Sequence, residues 1–242
     1  MPPIIVFGPH GAGCTWSFNI VRELAIATYG AAHVGSGFLS NLNMLKNAPA
    51  DIQQCVFKLH ICSGLPEIIN TYQARMLFML RDPRDCLLSI KRRLDFHNKR
   101  AIPSDITHAG DLIEHWASNY RDIFNTPGSL IMRYEDLPFN DISAVRKIAD
   151  WFPAKLSADT LQNILALHTT DKVRAYAKII KHTPMSSKDG RGNKTDQVTL
   201  YQERHIGTAS VDNWRNSMIQ TQLTAWLHDR IIPILGDRLL YQ

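Results

Sequence analysis

The chain has little cysteine, no long apolar run and no repeated segment, and each shortage excludes something. Its four cysteines are Cys14, Cys55, Cys62 and Cys86, with no C-x-x-C pair. That rules out a disulfide-stapled secreted scaffold and reads as reduced thiols in a cytoplasmic protein. No apolar stretch approaches the ~20 residues a membrane-spanning helix needs. No basic segment precedes the first apolar run, which argues against a signal peptide. Neither low-complexity tracts nor internal repeats are present. The formal charge of +5 suits an anionic ligand, but no basic and aromatic array accompanies it, so nucleic acid is not the expected partner. With 45% apolar and 20% charged residues over 242 positions, one domain spanning 1–242 can bury a full core without metal or disulfide support.

The most informative stretch is IIVFGPHGAGCTWSFNIVRELAIATY, from Ile4 to Tyr29. Ile4 to Phe7 reads as a short buried strand. Gly8, Gly11 and Gly13 break the pattern, and Trp16, Ile20, Leu24 and Ala27 then fall at helical spacing. A strand, a glycine-rich loop and a helix start form an anion site, because first-turn N–H groups have no intrahelical partner. GPHGAGCT fits G-x-x-x-x-G-K-[ST] except at the lysine, where Cys14 stands. Without that lysine a nucleoside triphosphate is disfavoured.

Further strands are expected at Cys55 to Leu59, Met76 to Leu80 and Leu130 to Met132. Helices are expected near Pro66 to Tyr72, after Pro83, from His108 to Phe124, Ile142 to Phe152, Ala158 to His168 and Trp214 to Ile234. Gly30 to Pro49 and Lys181 to Val198 read as loops. Strands alternating with helices predict an α/β fold, a parallel sheet flanked by helices in a three-layer, P-loop nucleotide-binding-like architecture. Ligands of such sheets bind beyond the carboxyl ends of the strands. Four polar clusters fall there: the glycine loop, Lys58 with His60, Arg81 to Ser89, and Arg133 to Asp136.

Those segments together resemble the sulfotransferases that use 3′-phosphoadenosine-5′-phosphosulfate (PAPS). GPHGAGCTW resembles the family's P-K-S-G-T-T-W loop, KLHICSGLP its K-T-H-L-P segment, RDPRDCLLS its R-N-P-K-D-x-x-x-S motif and RYEDL its Y-E-D-L/M segment. HTTD and the stretch from Arg204 to Asn216 are similar to two later motifs. The resemblance implies that His10, Gly11, Ala12, Gly13, Cys14 and Thr15 surround the 5′-phosphosulfate, and that Trp16 stacks on adenine. Arg81 and Ser89 would hold the 3′-phosphate, with Tyr134 and Thr169 beside the adenine and Arg204 and Gly207 closing over that phosphate. His60 would take the acceptor's proton and Lys58 would stabilise the sulfuryl oxygens. The product would be PAP, no metal is implied, and the acceptor would be a small-molecule, carbohydrate or lipid-like hydroxyl or amine.

One departure stands out. Aligned backward from Thr15 and Trp16 without gaps, the family's loop lysine falls on Gly11 and its proline on His10. Loop amides, His10 or Lys58 must then take the lysine's load, and lysine at Gly11 restores the cation only if Gly11 has a φ lysine can adopt. A catalytically silent PAPS- or PAP-binding module is the alternative, and a P-loop kinase a more distant one.

Overall fold

The computed structural model describes residues 1–39, 43–47, 49–60, 64–98, 106–137, 139–182, 186–188, 194–202 and 211–236. Its elements are β1 (Ile4–Phe7), α1 (Cys14–Tyr29), β2 (Val34–Phe38), α2 (Asn43–Lys46), β3 (Gln54–Leu59), α3 (Leu65–Tyr72), β4 (Arg75–Leu80), α4 (Pro83–Asn98), α5 (Thr107–Ile123), β5 (Leu130–Arg133), α6 (Ile142–Trp151), α7 (Ala158–His168), α8 (Thr170–Ile179), β6 (Ser186–Lys188), β7 (Lys194–Asp196), α9 (Gln220–Trp226) and α10 (Ile232–Leu235).

Five strands form one parallel sheet in the order β2-β3-β1-β4-β5. The chain moves one way from β1 to β2 and the other way from β3 to β4 and β4 to β5. Right-handed crossovers therefore put α1 on one face and α3, α4 and α5 on the other. α1 packs with α6 and α7, while α5 packs with α3, α4 and α10. Central strands covered on both faces need apolar side chains on both. Accordingly Ile4, Ile5, Val6 and Phe7 of β1 and Met76, Leu77, Phe78 and Met79 of β4 are all fully buried. The Phe7 and Phe78 rings meet edge to face, with centroids 6.2 Å apart.

Some elements differ from the sequence expectation. β2 lies inside the stretch read as a loop. Its sequence, VGSGF, carries two glycines and no apolar alternation, and its strand character comes from pairing Val34 to Phe38 along Gln54 to Lys58 of β3. α8 was not foreseen, since it buries only Val173 and Ala177. The described part of Lys181 to Val198 holds an antiparallel hairpin, with Ser186 opposite Asp196. Trp214 sits in a separate 3₁₀ turn, Asn213–Asn216, and the C-terminal helix begins at Gln220, with a π-helical turn over Leu227–Ile231. Among the described residues, no helix is long and apolar enough to cross a membrane.

Candidate active site

The loop after β1 turns on two glycines. Gly11 has φ +89° and Gly13 φ +83°, the left-handed region that a side chain disfavours. Ala12 N donates to Pro9 O at 3.2 Å, closing the turn. Gly13 is the N-cap of α1 and offers no side chain to it, so the first-turn amides are left for a ligand. The first turn carries no acidic residue that would repel an anion. Ala12 is fully buried. The Cys14 thiol is buried and donates to Pro9 O at 3.7 Å. Burial pushes it up to about 12, against the pull of Lys58. Cys14 thus contributes a backbone N–H, while its side chain belongs to the core.

β3 brings up the next groups. Its register with β1 pairs Val6 with Lys58 and Phe7 with Leu59, so the end of β3 abuts the loop. Lys58 is 5% exposed and its Nζ donates to Thr15 Oγ1 at 2.7 Å. His60 is also buried, and its Nδ1 lies 2.7 Å from Gly8 O. A carbonyl only accepts, so Nδ1 carries a proton, and the lone pair of the neutral tautomer sits on Nε2. The His10 ring stacks on His60 with centroids 3.9 Å apart and planes tilted by 37°. Phe38, at the end of β2, lies 6.0 Å from the His60 ring.

β4 delivers Arg81 to the other edge of the loop. Arg81 is 7% exposed, and its Nη1 donates to Gly11 O at 2.8 Å. Its Cζ stands 4.0 Å over the Tyr134 ring and its Nη2 lies 3.6 Å from Asp85 Oδ2. Ser89 comes from α4 to the same place: a Cβ built on Gly11 would lie 2.9 Å from both Ser89 Cβ and Ser89 Oγ. The neighbouring charges lock the segment. Arg84 donates to both Asp82 oxygens, at 2.9 and 2.7 Å, and its guanidinium stacks 3.5 Å over Trp214, whose N donates to Asp85 Oδ1 at 3.1 Å. All four of Arg81, Asp82, Arg84 and Asp85 are buried, so they are not a surface ion-pair set.

An aromatic group closes the third side. Trp16 Nε1 donates to His168 O at 2.9 Å, and Trp16 meets Phe139 edge to face at 5.2 Å. Tyr134 lies 4.8 Å from Phe139, and a Cβ on Gly13 would come within 3.3 Å of both. Thr169 joins α7 to α8 directly after His168. Burial holds His168 down at about 4, and its Nδ1 lies 3.2 Å from Tyr201 OH. The structure thus brings His10, Gly11, Ala12, Gly13, Cys14, Thr15, Trp16, Lys58, His60, Arg81, Ser89 and Tyr134 around one loop, with Thr169 reached through Trp16. Arg204 and Gly207 lie outside the described residues. Phe139 was missed, because it follows the Y-E-D-L segment with no motif of its own. Among the described residues, no three His, Cys, Asp or Glu side chains are grouped as a metal would require.

The donor set fits a ligand with two separate anionic ends. Thr15 and Lys58 meet at the helix start, Arg81 and Ser89 gather at Gly11, and the rings of Tyr134 and Phe139 lie against Gly13 with Trp16 beside Phe139. The comparisons agree in fold. A family model described as sulfotransferase domain matches residues 2–226. No curated protein matches the chain. Among solved structures, a mouse sulfotransferase complexed with PAP superposes with TM-score 0.68 at 12% identity, over 97% of this chain and 84% of that one. A retinol dehydratase in complex with androsterone and inactive cofactor PAP gives 0.63 at 16% identity, over 100% and 82%. The same enzyme type with retinol and PAP gives 0.59 at 17%, over 100% and 83%.

Proposed function

The chain belongs to the sulfotransferase family, and we propose that it moves a sulfuryl group from PAPS to a hydroxyl or amine of a small acceptor, in the cytoplasm. One observation carries this reading: two buried cations, Lys58 and Arg81, reach opposite edges of a single glycine loop at a helix start, donating to Thr15 Oγ1 and Gly11 O. Two cations converging on one loop from the strands on either side of β1 give it a positive field that suits an anionic ligand.

PAPS, when bound, supplies the sulfuryl group, which leaves the 5′-phosphate with the bridging electron pair staying on that phosphate as the acceptor heteroatom bonds to sulfur. The amides of Gly13, Cys14 and Thr15 at the α1 N-terminus hold the 5′ end. Lys58 offsets charge on the sulfuryl oxygens and is held there by Thr15. His60, with Nδ1–H tied to Gly8 O, presents Nε2 to the acceptor proton. Arg81 and Ser89 hold the 3′-phosphate, and Arg204 and Gly207 are assigned to the same end. Trp16, Tyr134, Phe139 and Thr169 shape the adenine pocket. Cys14 stands where a kinase loop has lysine, and its thiol is turned into the core, which weighs against triphosphate chemistry.

The test has two parts. PAP should raise the melting temperature well above AMP or ATP, since linkage rewards the ligand that fills both ends. Labelled PAPS with phenol, sterol, retinoid, sugar and amine acceptors should then label one class, and His60→Ala should abolish labelling without changing PAP affinity. Equal stabilisation by AMP and PAP would remove the cofactor assignment. PAP binding without labelling of any acceptor would favour a silent binding module.

A further inference from the structure

We propose that His10 is a catalytic residue, an imidazolium that donates to the departing 5′-phosphate in the place of the absent loop lysine. The assignment rests on the sulfuryl-transfer reading above. Three observations lead to it. Gly11, the ungapped counterpart of the lysine, cannot carry a side chain without strain, because its φ is +89° and Ser89 Cβ and Oγ would stand 2.9 Å from its Cβ. Lys58 is engaged at the helix side of the loop, on Thr15 Oγ1. And the His10 ring lies against His60, 3.9 Å between centroids, which puts it beside the group assigned to the acceptor proton.

The residue count agrees. From proline to tryptophan P-K-S-G-T-T-W has seven letters, whereas Pro9 to Trp16 is PHGAGCTW, with eight. Ala12 N and Pro9 O close a turn over residues 9–12 that includes the left-handed Gly11. Counted from the proline end, His10 follows Pro9 as lysine follows proline in the motif.

The stacked pair also divides the labour. Two imidazolium rings at this distance repel, so the pair carries at most one proton. His60 is buried and His10 is half-buried, and burial disfavours the charged form, so a proton on the pair is better placed on His10, with His60 left as the base. The titratable groups around the loop are Lys58 on β3, Cys14 on α1, Arg81 after β4, and Asp85 and Cys86 on α4. Burial keeps both thiols neutral, and Asp85 is occupied with Arg81 and Trp214 N. His10 donates a hydrogen bond and keeps its proton. The acceptor's proton goes to His60 and then to solvent.

The leaving group itself reads this out, with no acceptor present. PAP and adenosine 3′-phosphate differ only in the 5′-phosphate, so their affinity ratio reports the whole grip on that phosphate, and the His10 variants read His10's share of it. In the wild type that ratio should fall by about tenfold or more as pH rises through the imidazole range of ~6–8. His10→Gln should lower the ratio and flatten its pH course, and His10→Lys should hold it high to about pH 9. Slow cleavage of PAPS by water should drop by ~10²–10³ in His10→Gln and recover in His10→Lys. PAP binding by the wild type with the same ratio and pH course in His10→Gln overturns this assignment alone. Failure of the wild type to prefer PAP over AMP overturns both it and the reading beneath it.

Discussion

Lysine at Gly11 would put the family's cation back at its ungapped position, and the structure predicts that it damages the site. A non-glycine residue in the left-handed region costs ~1–2 kcal/mol, and Gly11 has φ +89°. At ~2–4 °C per kcal/mol for a chain of this size, strain alone should lower the melting temperature by ~2–8 °C. The contact adds a second effect. The new Cβ would lie 2.9 Å from Ser89 Cβ, not merely from its hydroxyl, so rotation of Ser89 cannot relieve it and α4 must shift. On the proposed cofactor pose, that takes Ser89 from the 3′-phosphate. A hydrogen bond to a charged group is worth ~1.5–3 kcal/mol, roughly tenfold to a hundredfold in affinity. The assay is calorimetric titration of Gly11→Lys with PAP and with AMP, which lacks the 3′-phosphate. PAP should lose roughly that factor and AMP much less, with turnover falling too. Unchanged PAP affinity and melting temperature would refute the steric reasoning, and a gain in turnover would show that the loop does lack a cation that His10 does not supply.

Three further outcomes follow from the same geometry. Lys58→Met, which deletes the donor to Thr15 Oγ1, should cut turnover by ~10²–10³ while PAP, which has no sulfuryl oxygens, binds nearly as before; equal losses in both would place Lys58 on the phosphate instead. Arg81→Ala should erase the preference for PAP over AMP, again by tenfold to a hundredfold on the ~1.5–3 kcal/mol scale of a charged hydrogen bond, read by the two melting-temperature shifts. His168, ordinarily near 6.5, is held by burial at about 4, so the unfolded chain takes its proton first: the stability it protects is complete above pH 6.5 and is lost as pH falls toward 4. At ~1.4 kcal/mol per unit of pH that interval is worth ~3 kcal/mol. Urea denaturation across it should show the slope, and His168→Gln should flatten it.

The parts legible in the sequence were those whose signal is local. Ile4 to Phe7 and Met76 to Leu80 are unbroken apolar runs, so the central strands could be read directly, and the glycines that follow β1 marked the loop. Arg81 and Ser89 could be paired because they fall eight residues apart in one continuous segment, from the end of β4 into α4. β2 was not legible: VGSGF has no apolar alternation, and its strand character comes from hydrogen bonding to β3. Phe139 was invisible for a similar reason, since only the fold brings it over Gly13. The stacking of His10 on His60 joins residues far apart in the chain, and no spacing rule links a loop residue to the end of another strand. The acidic and basic residues of RDPRD were recognisable, but whether they lay on the surface depended on Trp214, which arrives from the far end of the chain to cover Arg84.

The bond from Arg81 Nη1 to Gly11 O turns the two halves of the site into a caliper. One jaw is the loop at the head of α1, the other is the start of α4, and a 2.8 Å contact ties them together over the β1–β4 pairing. Such a site selects by span: a nucleotide is gauged by the distance between its two anionic ends before any contact with its base is counted. A ligand with its phosphates strung from one end fills one jaw and leaves the other empty, however many charges it carries. The jaws are also geared together, so a change that opens the loop resets the grip on the opposite side.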